Sequence, residues 1–160
     1  MNSDDIVRCV SGDPLLMESF GGVISSDELI SRAFPPFPRR PLFYVVNNRP
    51  STSEGEHWVL FYLTPSEQRV GEFFDSLGNA PEFYTSQFSR YLTLSCSSYL
   101  YSSRVVQPPK SDTCGDFCVY YAARRLRGES MLEIVNGFRR DNLWYNHFKV
   151  RQFTQELRFN

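Results

Sequence analysis

Cys114 lies in the stretch QPPKSDTCGDFCVYY (107–121), between a polar turn and a run with helical character. That setting suits a nucleophile. The reactive form of cysteine is the thiolate, and the unpaired N–H groups of a helix N-terminus stabilise it. Cys114 falls in the first turn of the expected helix, two residues past Asp112, the expected N-cap. Gly115 follows it and would let a substrate backbone approach closely. A thiol nucleophile of this kind needs an imidazole partner, and the chain has two histidines. His57 opens the apolar run HWVLFYL (57–63) after a glycine-containing loop, at a strand end from which a side chain reaches a cleft. His147, in WYNHFKV, belongs to a connection between helices, so His57 is the better candidate. The imidazole in turn needs an acceptor to orient it. Asp75, in EFFDSLG, ends the next expected strand, and a hairpin pairing 57–63 with 70–76 brings it back to His57. For a developing oxyanion, Gln107 offers a side-chain amide and Cys114 its own backbone N–H, on either side of the tight loop PPKSDT. The chemistry such a set performs is attack by a thiol on a carbonyl.

The elements that must position these groups follow from pattern. LFYVVNN (42–48), HWVLFYL (57–63), VGEFFDSLG (70–78) and YLYSSRVVQ (99–107) read as strands. The second is continuously apolar, as a strand covered on both faces would be. STSEGE and TPSEQR are the connections. Within SSDELISRAF a helix begins at Ser26 or Asp27 and carries Leu29, Ile30 and Ala33 at helical spacing. A second spans 81–94 with Pro81 in its first turn. A third starts after Asp112 and closes at Gly128, and two more cover about 129–139 and about 148–158. FPPFPRRP (34–41) reads as an extended loop. The expected fold class is α+β: one small, mainly antiparallel sheet flanked by helices, in a single domain spanning 1–160.

Composition narrows the function classes. A chain of 160 residues buries a sufficient core without disulfides, and 41% hydrophobic against 22% charged residues is a globular balance. Aromatics reach 16%, which predicts an aromatic-rich core. The net charge of −1 provides no basic surface for strong nucleic-acid binding, and Arg124, Arg125, Arg127, Arg139 and Arg140 read as solvated helix faces. The opening MNSDDIVRCV lacks the charged and apolar regions of a signal peptide, and no apolar run approaches the ~18 residues of a membrane span. The expected setting is an intracellular, reducing compartment in which Cys9, Cys96, Cys114 and Cys118 are free thiols. Cys114 and Cys118 share a helical face, but structural zinc takes four ligands in short paired spacings. Neither histidine lies near another cysteine, so no metal is expected. With all four catalytic positions filled, a degenerate binding module is the weaker reading.

The segments EHWVLFYL, FFDSLG and QPPKSDTCGDFCVYY resemble the adenovirus endopeptidase (adenain) and its cellular relatives, the SUMO and other ubiquitin-like-protein proteases. The shared signature is a His-Trp pair, a later acid, then Gln, six residues and Cys-Gly. His57-Trp58, Asp75, Gln107 and Cys114-Gly115 match it across residues 20–125. The resemblance implies a papain-like arrangement with Cys114 as nucleophile, His57 as general base, Asp75 as its orienter and Gln107 as oxyanion donor, with Trp58 and Gly115 lining the substrate. It implies a monomeric cysteine endopeptidase that needs no metal. Its substrates would be protein sites, specifically viral precursors during virion maturation, in the host nucleus or cytoplasm or packaged in the virion. The alternative is a processing or deconjugating protease for ubiquitin or a ubiquitin-like modifier, which uses the same residues. Small size and SFGGVISSDEL lean to the viral branch. Cys96 stands eighteen residues before Cys114, where adenain's cysteine bonds an activating peptide. The resemblance therefore implies such a peptide as a candidate partner at an exposed sheet edge, against the competing reading of a half-buried free thiol. Two positions depart from adenain. DSLG carries Asp where adenain carries Glu, as in the SUMO proteases, and Asp116 would place a negative charge beside the presumed groove.

Overall fold

The computed structural model describes residues 1–32, 39–54 and 56–159, so most of the expected proline-rich loop and Ala33 lie outside the described residues. The chain opens with α1 (Ser3–Ser11) and α2 (Pro14–Ser19), each started by a side-chain cap: Asn2 in a capping box with Asp5, and Asp13 ahead of Pro14. Then follow β1 (Phe20–Ile24), α3 (Ser26–Leu29), β2 (Leu42–Asn47), β3 (Trp58–Leu63), β4 (Val70–Phe74), α4 (Ser86–Ser95), β5 (Ser98–Tyr101), α5 (Cys114–Leu126), α6 (Met131–Asn136) and α7 (Leu143–Arg158).

The five strands form one sheet in sequence order. The central pairings, β2 with β3 and β3 with β4, are antiparallel, as the hairpin patterns predict. The outer strands join parallel, β1 to β2 through α3 and β5 to β4 through α4, so the sheet is mixed. Parallel neighbours need a crossover, and each of these crossovers carries a helix to the same face.

Side-chain alternation divides the core in two. Phe43, Val45, Leu60, Tyr62 and Phe74 point to the face covered by α1, α2, α5, α6 and α7. Tyr44, Val46, Val59, Phe61 and Phe73 point to the other face, against Leu29 of α3 and Phe88, Tyr91 and Leu92 of α4. Phe61 stands edge-on to Phe73, Phe88 and Tyr91 at 5.2 to 5.4 Å, so the aromatic richness is spent on core packing. The unbroken apolar run of β3 belongs to the middle strand of this three-layer stack.

Several expectations shift in detail. The strand expected over 99–107 ends at Tyr101, and 102–113 runs outside helix and strand. The last helix begins at Leu143 rather than near 148. The arginines expected on solvated faces are largely paired: Arg124 with Glu129, Arg127 with Asp13 and Arg139 with Asp141. Arg125 is drawn inward to the buried Glu72 of β4, which it grips through two nitrogens, with Tyr121 donating to the same carboxylate. No helix among the described residues is long and apolar enough to cross a membrane.

Candidate active site

Cys114 is the first residue of α5, with its backbone N–H beyond the reach of the helix's own carbonyls. The residue is 8% exposed and lines a cleft of about 1020 Å³. The helix does not start as the sequence predicts. Thr113 holds the cap position without a side-chain cap bond, and Asp112 is 73% exposed in its side chain and paired to Arg151 at 2.7 Å. The Thr113 hydroxyl is instead engaged by Nδ1 of His147, at 3.1 Å. His147 is thus a buried support for the loop before Cys114, its ring packed edge-on to Trp144 and Phe148.

His57 immediately precedes β3. Its backbone N–H donates to Oδ1 of Asn48 and its carbonyl accepts from the Asn48 N–H, both at 3.0 Å, which fixes the residue at the strand's entry. The antiparallel register that sets Leu60 opposite Phe74 returns the end of β4 to this point. Nε2 of His57 lies 2.6 Å from Oδ1 of Asp75. Burial disfavours the charged ring, yet hydrogen bonds to Asp75 and to Cys114, with the charges of both, more than offset it and raise the His57 pKa to about 9. With Nε2 committed to Asp75, Nδ1 is the nitrogen left for the thiol.

Asp75 has no exposed surface. Burial alone would push its pKa up, but the donors around it, His57 first, hold it below the usual carboxylate value. A turn supplies part of that shell. Gly78 N–H donates to the Asp75 carbonyl at 2.9 Å, with Gly78 at φ +76°, where an added Cβ would also meet the Ser103 carbonyl oxygen at 2.7 Å. The turn aims Leu77 N–H at Oδ1 and Asn79 N–H at Oδ2. The Asn79 amide, at 3.1 Å, and the Tyr84 hydroxyl, at 2.6 Å, also donate to Oδ2.

Gln107 is 2% exposed and lines the cleft. Its backbone N–H, with that of Val106, donates to the Ser76 carbonyl, and the Ser76 hydroxyl donates to Gln107 Oε1. Nε2 donates to the Ser111 carbonyl at 3.0 Å, which occupies one of its two hydrogens. Asn146 of α7, fully buried, donates to the Val106 carbonyl and so clamps the same segment.

The structure therefore brings His57, Gln107 and Cys114 to one cleft, with Asp75 buried behind His57. Trp58 and Met1 line it and Gly115 lies behind Met1: the Trp58 indole N–H donates to the Met1 carbonyl at 3.0 Å, and a Cβ on Gly115 would lie 2.9 Å from the Met1 sulfur. The space expected for a substrate backbone beside Gly115 is filled by that side chain. Asp116 is not beside the groove. It is buried against α7, accepting from the Thr154 hydroxyl, with a raised pKa caused by burial. Cys96 caps α4, and its sulfur packs onto Gly71, where a Cβ would approach it to 2.5 Å. Its thiol is half-buried, and burial pushes its pKa up to about 11. No group of three or more His, Cys, Asp or Glu among the described residues could hold a metal ion.

Sequence reasoning missed Ser76, Asn79, Tyr84 and Asn146. Of these, only Asn79 carried a signal, an amide four residues after the acid in a turn ending in glycine.

No protein-family model matches the chain, and no curated protein matches it. Solved structures of the same fold do. The ASFV pS273R protease superposes with a TM-score of 0.65 at 15% identity, over 93% of this chain and 65% of that one, so this chain spans somewhat less than two thirds of that protease. ChlaDub1 from Chlamydia trachomatis gives 0.63 at 15%, over 98% and 91%. AvrA, solved with IP6 and CoA, gives 0.55 at 15%, over 89% and 53%. At these identities the likeness is one of fold.

Proposed function

We propose that this chain is a cysteine peptidase that cleaves specific sites in protein substrates. One observation carries the reading: a buried His57–Asp75 pair whose second ring nitrogen serves a cysteine at a helix start, with a side-chain amide across the cleft. A shared fold with a named protease supports it.

In the proposed cycle the Cys114 thiolate attacks the scissile carbonyl carbon. The carbonyl oxygen gains the electron pair and is met by the free N–H of Gln107 Nε2 and the Cys114 backbone N–H. The imidazolium of His57 gives its Nδ1 proton to the departing amine as the C–N bond breaks, leaving a thioester. His57 then takes a proton from water, whose oxygen attacks the thioester carbonyl; the C–S bond breaks, thiolate and imidazolium reform, and the carboxylic acid product departs, losing its proton to solvent. Asp75 stays ionised throughout and holds the ring.

Viral precursor proteins are the substrates we assign, on the sequence resemblance to adenain. An activating peptide at Cys96 finds no support in a thiol that faces Gly71. Cys114→Ala should abolish cleavage of a peptide library while leaving the circular dichroism spectrum unchanged, and iodoacetamide should label Cys114 ahead of the other thiols. Cleavage by Cys114→Ala would end the proposal. Faster reaction with an electrophilic ubiquitin-like probe than with any peptide would move the substrate class to modifiers. Uptake of acetyl from acetyl-CoA without hydrolysis would change the reaction itself.

A further inference from the structure

Asp75 makes a single hydrogen bond to His57, and one such bond fixes a point, not a plane. The imidazole can pivot about the Nε2···Oδ1 line, and a pivot carries Nδ1 away from Cys114. Something must hold the ring's plane. The Tyr84 ring lies against the His57 ring, with centroids 5.5 Å apart and planes 30° apart. Its hydroxyl donates to Oδ2 of Asp75 at 2.6 Å, on the carboxylate oxygen that His57 does not use. The Asn79 amide closes a triangle, donating to Oδ2 and to the Tyr84 oxygen at 3.1 Å each. Tyr84 itself is anchored by Phe83 and Phe88, whose rings stand edge-on to it at 5.0 and 6.4 Å.

Resting on the peptidase reading above, we propose that Tyr84 is a positioning residue for this reaction: its ring holds the plane of His57 while its hydroxyl holds the carboxylate of Asp75. One side chain thus restrains both members of the pair. Burial and the neighbouring Asp75 push the Tyr84 hydroxyl's pKa up, so it remains a donor across the working pH range. The two functions separate chemically. Tyr84→Phe keeps the stacked ring and removes the donor. Tyr84→Leu removes both.

The test uses the full chain and two readouts that need no substrate: the titration of His57 by NMR and the rate of alkylation of Cys114 by iodoacetamide across pH. In Tyr84→Phe the Asp75 charge is less dispersed and holds the imidazolium more strongly. The His57 midpoint should move upward from about 9 by roughly half a unit. The alkaline limb of the alkylation profile should follow it. In Tyr84→Leu peptide cleavage should lose roughly 10–10²-fold in kcat, the scale of a misplaced catalytic group, with KM little changed. A wild-type His57 titration in Tyr84→Phe would overturn the role of the hydroxyl. A Tyr84→Leu protein with a raised KM and unchanged kcat would make Tyr84 a substrate contact and overturn the role of the ring. If Tyr84→Leu does not fold, Tyr84→Phe alone decides through the titration. Should the chain cleave no peptide at all, the peptidase reading fails while titration and alkylation still report on Tyr84.

Discussion

Gln107 shows how much a single side chain depends on what holds it. An amide can present either end to a substrate, and here the choice is made by the Ser111 carbonyl, which can only accept and so takes Nε2, leaving Oε1 to receive the Ser76 hydroxyl. Gln107→Ala should therefore lower kcat by about 10²–10³ with KM nearly constant, the pattern of a contact made mainly in the transition state. Steady-state kinetics on one peptide checks this, and a pure KM effect would reassign Gln107 to substrate binding. Residue types and spacing single out His57, Asp75, Gln107 and Cys114 as candidates in the sequence, because thiol chemistry would restrict which side chains serve and where each must sit, and the structure places the four near one another. Tyr84, Ser76 and Asn146 were not legible. Each acts through a neighbour that the fold brings to it, and the helix expected over 81–94 begins only at Ser86, which leaves Tyr84 in the turn before it, free to face Asp75.

At the scale of elements, long apolar runs revealed β2, β3 and β4 because a central strand must be apolar on both faces. The edges were harder to read. β1 contains Gly21 and Gly22 and has little strand propensity of its own; parallel pairing to β2 is what makes it a strand. β5 ends early because after Tyr101 the chain turns to hydrogen-bond Ser76 and to deliver Gln107. The cap of α5 falls at Thr113 rather than at Asp112, whose carboxylate pairs with Arg151 instead. Helix α5 is tied to the sheet by a polar joint as well as an apolar face. The guanidinium of Arg125 sits 4.8 Å from the Tyr62 ring centroid and pairs with Glu72, whose side chain is 4% exposed. Arg125→Met would leave that carboxylate buried with Tyr121 alone. Urea denaturation should show a loss of about 3–5 kcal/mol, most of it recovered in the double variant Glu72→Gln/Arg125→Met.

Across the whole molecule the four cysteines occupy unlike surroundings. Cys9 lies between α1 and α7, donating to the Thr154 carbonyl and accepting from Arg158, with burial raising its pKa. Cys96 lies behind Gly71 at the other side of the sheet. Cys118 is one helical turn beyond Cys114, buried in the core, its pKa pushed well up by burial. That neighbour looks like a partner for Cys114 but cannot act as one. Side chains one turn apart on a helix keep their Cβ atoms about 5–6 Å apart, whereas a disulfide needs about 3.5–4.5 Å. Hydrogen peroxide would convert a Cys114 thiolate to sulfenic acid with no thiol in the chain placed to capture it. Brief exposure should therefore inactivate the protein without forming an internal disulfide, and added dithiothreitol should restore activity. Longer exposure should carry Cys114 on to the sulfinic acid, irreversibly. Mass spectrometry of the Cys114 peptide distinguishes these states, and a Cys114–Cys118 bridge in the oxidised protein would show that α5 unwinds at its start. By this placement of sulfur none of the other three cysteines shields an oxidised Cys114 with an internal bridge.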